Sequence, residues 1–188
     1  MISNGLYEFS GRRVLMLQGP VGPFFARLAT DLTLVGAVVF KINFNGGDWL
    51  FSNEQAFSRV FNYRGDLAQW PDYLDDLLVR LKIDMVFLFG DCRPMHVAAM
   101  PRLQRRGIPV GVFEEGYLRP DFITLERDGV NNNSSLPNDP RFYLSQVPQP
   151  LPASRPLGST YGQAAKWGML YFAAASLARP WFRRYQHH

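Results

Sequence analysis

At 188 residues, with 47% apolar and 19% charged side chains, the chain is long enough to bury a full core and too apolar to be disordered. Its formal charge is +4; of 20 basic residues only Lys41, Lys82 and Lys166 are lysine, an arginine preference that suits phosphate or carboxylate partners and that codon bias explains equally well. A single cysteine, Cys92, excludes an internal disulfide framework and multi-cysteine zinc sites, while the lack of a signal-length apolar stretch in residues 1–13 and of any spanning-length apolar run points to neither secretion nor a membrane-crossing helix.

Arg13–Leu17 reads as a first strand, followed by the turn Gln18-Gly-Pro-Val-Gly-Pro23 and a helix over Phe24–Leu34. A second strand, Ala37–Asn43, runs into the loop Asn45-Gly-Gly-Asp-Trp49. Between Asp72 and Lys82 the apolar residues Tyr73, Leu74, Leu77, Leu78 and Leu81 recur at helical spacing, with Asp75 and Asp76 on the opposite face. Met85–Phe89 is the next strand, Gly90-Asp-Cys-Arg-Pro94 its loop, and His96–Arg106 a helix closed by Gly107. Ile108–Phe113 has the short, uniformly apolar character of a buried parallel strand. This alternation predicts an α/β fold, a Rossmann-like parallel sheet with flanking helices, over residues 1–130. Residues 131–158, rich in asparagine and proline, read as an extended connector. Residues 159–188 read as an aromatic and basic helical segment that packs on another domain or on a membrane surface.

In an open α/β sheet, ligands collect at the carboxyl ends of the strands, and the candidate residues lie there. Glu114 and Glu115 leave the predicted strand together, and a carboxylate at such a rim can act as general acid or base. Arg119 is their nearby counter-charge; a polar turn closed by Gly116 explains the same residues without function. Gln18 and Gly19 sit in a turn that lacks both the dinucleotide and the Walker patterns, and its prolines remove donors a phosphate cradle uses. Asn45, Gly46 and Asp48, next to Trp49, combine an amide, a carboxylate and an indole as carbohydrate sites do, or form a helix-capping turn. Asp91 and Arg93 can pair with each other or hold a charged substrate. His96, a lone histidine, more often serves structure. No metal ligand set is read.

Taken together, Gln18-Gly-Pro-Val-Gly-Pro-Phe24, Asn45-Gly-Gly-Asp48, Gly90-Asp-Cys-Arg-Pro94, Glu114-Glu-Gly-Tyr-Leu-Arg-Pro-Asp121, Thr124-Leu-Glu126 and Gly129-Val-Asn131 resemble the capsule polysaccharide biosynthesis/export family of Gram-negative bacteria, in particular its KpsS/LipB-type branch. The resemblance spans about residues 13–185. It implies a cytoplasmic, membrane-peripheral, retaining β-Kdo transferase built as two Rossmann-like, GT-B-like halves, with CMP-Kdo as donor, a phosphatidylglycerol-type lipid as acceptor, and no further cofactor. Family members continue into a second half whose motifs are missing here, so the chain resembles an N-terminal, acceptor-side half that is inactive alone.

Under this resemblance Glu114 or Glu115 is the acid/base, Arg119 orients it or meets the anionic sugar, and Gln18, Asn45, Asp48 and Asp91 line the acceptor side. The implied partners are the missing C-terminal half, capsule assembly proteins and the inner membrane surface, with no nucleic acid. Two other readings compete: a non-catalytic polysaccharide- or lipid-binding or export accessory domain, and, more weakly, a receiver-like domain phosphorylated on Asp91.

Overall fold

The computed structural model describes residues 4–117, 122–147 and 160–182. Its centre is one six-stranded sheet made of β1 (Arg13–Leu17), β2 (Val38–Asn43), β3 (Arg59–Asn62), β4 (Met85–Phe89), β5 (Val110–Glu115) and β6 (Ile123–Arg127) in the order β3-β2-β1-β4-β5-β6. The first five strands are mutually parallel, and β6 returns antiparallel along β5. The chain walks outward from β1 to β3, then crosses back to β4, so the topological switch point lies between β1 and β4. This is the Rossmann-like arrangement the alternating pattern predicts.

Strand side chains alternate between two apolar layers. Leu15, Leu17, Ile42, Val86 and Leu88 face α3 (Trp70–Leu81) and α4 (Pro94–Arg105), while Val14, Met16, Val39 and Phe87 face α1 (Phe24–Leu34). In α3 the buried residues Trp70, Leu74, Leu77 and Leu78 recur at three and four positions, which turns one stripe into the core. Each leucine buried this fully contributes roughly 1.5–3 kcal/mol. The indole of Trp70 donates to the carbonyl of Met95 at 2.8 Å, which satisfies its one polar atom and ties α3 to α4. Lys82, at φ 51°, ends α3 in the left-handed conformation.

Several expectations change. The loop at Asn45–Trp49 is a short helix, α2 (Gly46–Leu50), because the Asn45 side chain accepts from the amide of Asp48 and so caps its first turn despite two glycines. The last strand is shifted toward its C-terminus, so Glu114 and Glu115 do not leave the sheet; they are the final residues of β5, opposite Thr124 and Ile123. The sheet is therefore not wholly parallel. Within the predicted connector, Asp139 caps a helical turn, α5 (Pro140–Leu144), with proline at its start; residues 148–159 lie outside the described ones. The aromatic segment forms α6 (Tyr161–Leu177), and one face of it packs on α2 of this same domain.

Candidate functional site

The carboxyl ends of the strands divide into two regions of different character. At the tips of β1 and β2, polar side chains converge in a buried cluster. Gln18, Asn43, Asn45, Asp48 and Lys41 are all 0–3% exposed. At its centre is the hydroxyl of Tyr171 from α6, which accepts from Nδ2 of Asn45 at 2.9 Å and from Nε2 of Gln18 at 3.3 Å and donates to Oδ1 of Asp48 at 3.0 Å. The other carboxylate oxygen of Asp48 accepts from the Phe44 amide at 3.0 Å, and Nζ of Lys41 donates to the Asp48 carbonyl at 2.9 Å.

Burial pushes the Asp48 carboxyl above the ordinary carboxylate range, against the opposing pull of Lys41 and of its hydrogen bonds. Burial likewise lowers the Lys41 ammonium to about 8, opposed by Asp48. The Tyr171 phenol is raised well above its usual value, first by burial and then by the neighbouring carboxylate.

The glycines of these loops explain how α6 comes so close. A Cβ on Gly46 would stand 2.3 Å from the Ala174 carbonyl oxygen, one on Gly47 2.5 Å from the Tyr171 ring, and one on Gly22, at φ +116°, 2.8 Å from the Trp167 indole. The two glycine-bearing loops are thus a socket for α6. Gln18, Asn45, Gly46 and Asp48 are brought together, as a closed cluster beneath a helix. Gln18 holds φ at 27°, unusual for a non-glycine residue, and among the described residues its buried Oε1 has no hydrogen-bond partner.

The second region lies at the tips of β4 and β5. Arg93, at the N-terminal end of α4, donates from Nη1 to the carbonyl of Gly19 at 3.0 Å, bridging the switch point between β1 and β4. Asp91 does not use its carboxylate on Arg93: Oδ2 accepts from the amide of Val130 at 3.1 Å and from Nδ2 of Asn133 at 3.0 Å, and Oδ1 from the thiol of Cys92 at 3.3 Å. Burial raises the Asp91 carboxyl, but these donors outweigh it and the net shift is downward; the same carboxylate raises the Cys92 thiol. Asp91 therefore pins the 130–133 turn to the tip of β4. His96 is fully buried, with Nδ1 2.5 Å from the Gly90 carbonyl, a contact that serves the loop.

Glu114 is half-buried between these parts. Its Oε1 accepts from the amide of Glu115 at 2.9 Å, its Oε2 lies 3.5 Å from Nδ2 of Asn131, and the same Oε2 borders the space above Gly90. Glu115 points to the exposed side, as strand alternation requires. Beside them Tyr117 donates to Oε1 of Glu126 at 2.8 Å, and Ser134 hydrogen-bonds Oε2 of the same residue. The rim at β5 thus carries one half-sheltered carboxylate, one exposed carboxylate and a braced ring of hydroxyl and amide groups. Arg119 lies outside the described residues. No group of three or more histidine, cysteine, aspartate or glutamate side chains able to hold a metal occurs among the described residues, and no helix there is long and apolar enough to cross a membrane.

Residues the sequence reading missed are Lys41, Asn43, Tyr171 and Asn133. Lys41 and Asn43 were legible in principle, since two polar residues interrupt a strand that is otherwise apolar.

The family model for capsule polysaccharide biosynthesis proteins matches residues 84–188, the part that carries β4, β5, β6 and α6. The chain is 38% identical over 179 residues to the capsule polysaccharide export protein KpsS of Escherichia coli, covering 95% of this chain and 45% of that protein. It is 41% identical over 168 residues to the capsule polysaccharide modification protein LipB of Neisseria meningitidis serogroup A, covering 87% of this chain and 40% of that one. It therefore spans less than half the length of these curated relatives. Among solved structures it is similar to the epimerase Mth375 of Methanothermobacter thermautotrophicus, with 18% identity, a TM-score of 0.41, and coverage of 58% of this chain and 36% of the other. By the family match over more than half its length, the chain belongs to the capsule polysaccharide biosynthesis protein family.

Proposed function

We propose that this chain is the acceptor-side lobe of a two-lobed, GT-B-like glycosyltransferase that moves β-Kdo from CMP-Kdo to a phosphatidylglycerol-type lipid at the cytoplasmic face of the inner membrane. The observation that carries this reading is the half-buried carboxylate of Glu114 at the carboxyl edge of a Rossmann-like sheet, where its Oε2 borders Gly90 at the tip of β4. Family membership supports it.

In retaining transfer by two displacements, a nucleophilic carboxylate attacks the anomeric carbon and CMP leaves; the acceptor hydroxyl then attacks that carbon and displaces the enzyme carboxylate, while a second carboxylate takes the hydroxyl proton. Glu114 is the proposed proton acceptor, because its half-buried carboxylate faces the space above Gly90 at the sheet's carboxyl edge, whereas Glu115 stands toward solvent. The nucleophile and the nucleotide site are assigned to the length that the curated relatives have beyond this chain. Arg93 and Arg119 are proposed to meet anionic groups of donor or acceptor. Gln18, Asn45 and Asp48 contribute by seating α6, which shapes the acceptor wall.

The closure of that cluster under α6 favours a second reading, a non-catalytic saccharide- or lipid-binding accessory domain. One experiment separates the two. Residues 1–182 replace the matching part of the Escherichia coli relative, and the purified chimera is given CMP-Kdo and a phosphatidylglycerol-type acceptor. CMP release coupled to a mass increase of the lipid is the expected result; a chimera that melts cooperatively and yields neither product leaves the accessory reading standing.

A further inference from the structure

The outer side of the α2–α6 contact holds a groove lined by none of the side chains given a role in proton transfer. It has a volume of about 450 Å³ and is lined by Trp49, Ala174, Leu177, Ala178, Trp181 and Phe182, with Asn62 and Arg64 as its polar residues. That volume falls within the ~300–1,000 Å³ of small-molecule sites. Within the lining Phe182 is buried, whereas Leu177 is 77%, Trp181 60% and Trp49 51% exposed. Large apolar side chains standing in water around a concave floor carry a persistent cost that an apolar ligand removes.

We infer that this groove binds one amphiphile molecule, its alkyl chain lying between Trp49, Leu177 and Trp181 and its anionic head meeting Arg64. The composition decides between ligand classes. A saccharide brings many hydroxyl groups that each need a partner, and the groove offers only the side chains of Asn62 and Arg64 for that purpose. An alkyl chain needs none. Six of the eight lining residues are apolar, and aromatic rings at the mouth suit the boundary between chain and head. The charge is complementary to an anion: Arg64 is part of the lining, Arg179 is exposed on the turn that follows α6, and no acidic residue lines the groove among the described residues. This inference rests on the lipid-acceptor reading and adds to it the residues that would hold the lipid, while its test reads binding alone, so loss of binding and loss of transfer are told apart.

The test is titration of the 188-residue chain with monomeric dodecyl phosphate, followed by tryptophan fluorescence and calorimetry. Saturable one-to-one binding with a blue shift is expected. Arg64→Gln weakens it about fivefold, and Trp181→Ala at least about tenfold, while both variants keep the wild-type melting temperature because the side chains removed are exposed. Dodecyl trimethylammonium, with the same chain and the opposite charge, binds at least about tenfold more weakly. Equal affinity for the two head groups, or dodecyl phosphate binding unchanged in Trp181→Ala, overturns the inference. So does attachment to phosphatidylglycerol vesicles without any binding of the monomer, which would make the patch a bilayer contact instead of a site for one molecule.

Discussion

The hydroxyl of Tyr171 donates to Oδ1 of Asp48 at 3.0 Å across 123 positions of sequence, and this bond makes α6 part of the sheet's carboxyl edge. Asp48 is buried with both carboxylate oxygens engaged, one by Tyr171 and one by the Phe44 amide. A buried carboxylate keeps its place only while it is hydrogen-bonded. The helix and the loops therefore depend on each other.

Removing that hydroxyl tests the dependence. Tyr171→Phe leaves the ring and strands Oδ1 of Asp48 together with the donors of Asn45 and Gln18. The expected cost is about 1.5–3 kcal/mol, since a hydrogen bond to a charged group is lost inside the protein. Differential scanning calorimetry should show a melting temperature lower by roughly 4–10 °C for a chain of this size.

The glycine socket makes a steric prediction. Gly46→Ala places a methyl group against the Ala174 carbonyl, which is backbone and cannot rotate away. We expect destabilisation of about 1–3 kcal/mol or more, together with increased tryptic cleavage at Lys166 as α6 is displaced. Gly162→Ala, where a Cβ meets nothing within 4 Å, serves as the control and should melt as the wild type does or slightly higher.

How much of this was legible beforehand follows from the range of the interactions. β1, α1 and β4 fall on the residues that pattern alone predicts, because each is a short apolar segment with turn chemistry at its ends. β3 was missed because its four residues, Arg59–Asn62, carry no alternation and pair only at an edge. β6 alternates, but with Ile123 and Leu125 on its exposed side, so its pattern does not mark a core face. Gly46, Gly47 and Asp48 are conspicuous in sequence, yet their use depends on Tyr171, more than a hundred residues away. Local chemistry identifies such residues as unusual and cannot reveal what fills the space they leave. Glu114 was legible as a rim carboxylate, whereas its half-buried position beside Gly90 and Asn131 required the β5–β6 pairing.

Lys41 gives a pH signature. Burial holds its ammonium at about 8 in the folded chain, against 10.5 ordinarily. Between those values the unfolded chain binds more protons than the folded one, so folding stability rises as pH increases through that window. The Tyr171 phenol, raised from 10.0, acts in the opposite sense above that pH. From pH 8 to 10, urea unfolding should therefore show the wild type gaining roughly 2 kcal/mol relative to Lys41→Met.

The central claim is that proton transfer belongs to the β5 rim and that the Tyr171–Asp48 cluster only supports it. The most direct measurement is the turnover of Kdo transfer in the chimera with the Escherichia coli relative, compared for Glu114→Gln, Glu115→Gln and Tyr171→Phe, each at a temperature where it is fully folded. Glu114→Gln should lower kcat by about 10²–10⁴-fold without changing the melting temperature, while Glu115→Gln and Tyr171→Phe stay within about threefold of the parent. Wild-type turnover in Glu114→Gln would contradict the account.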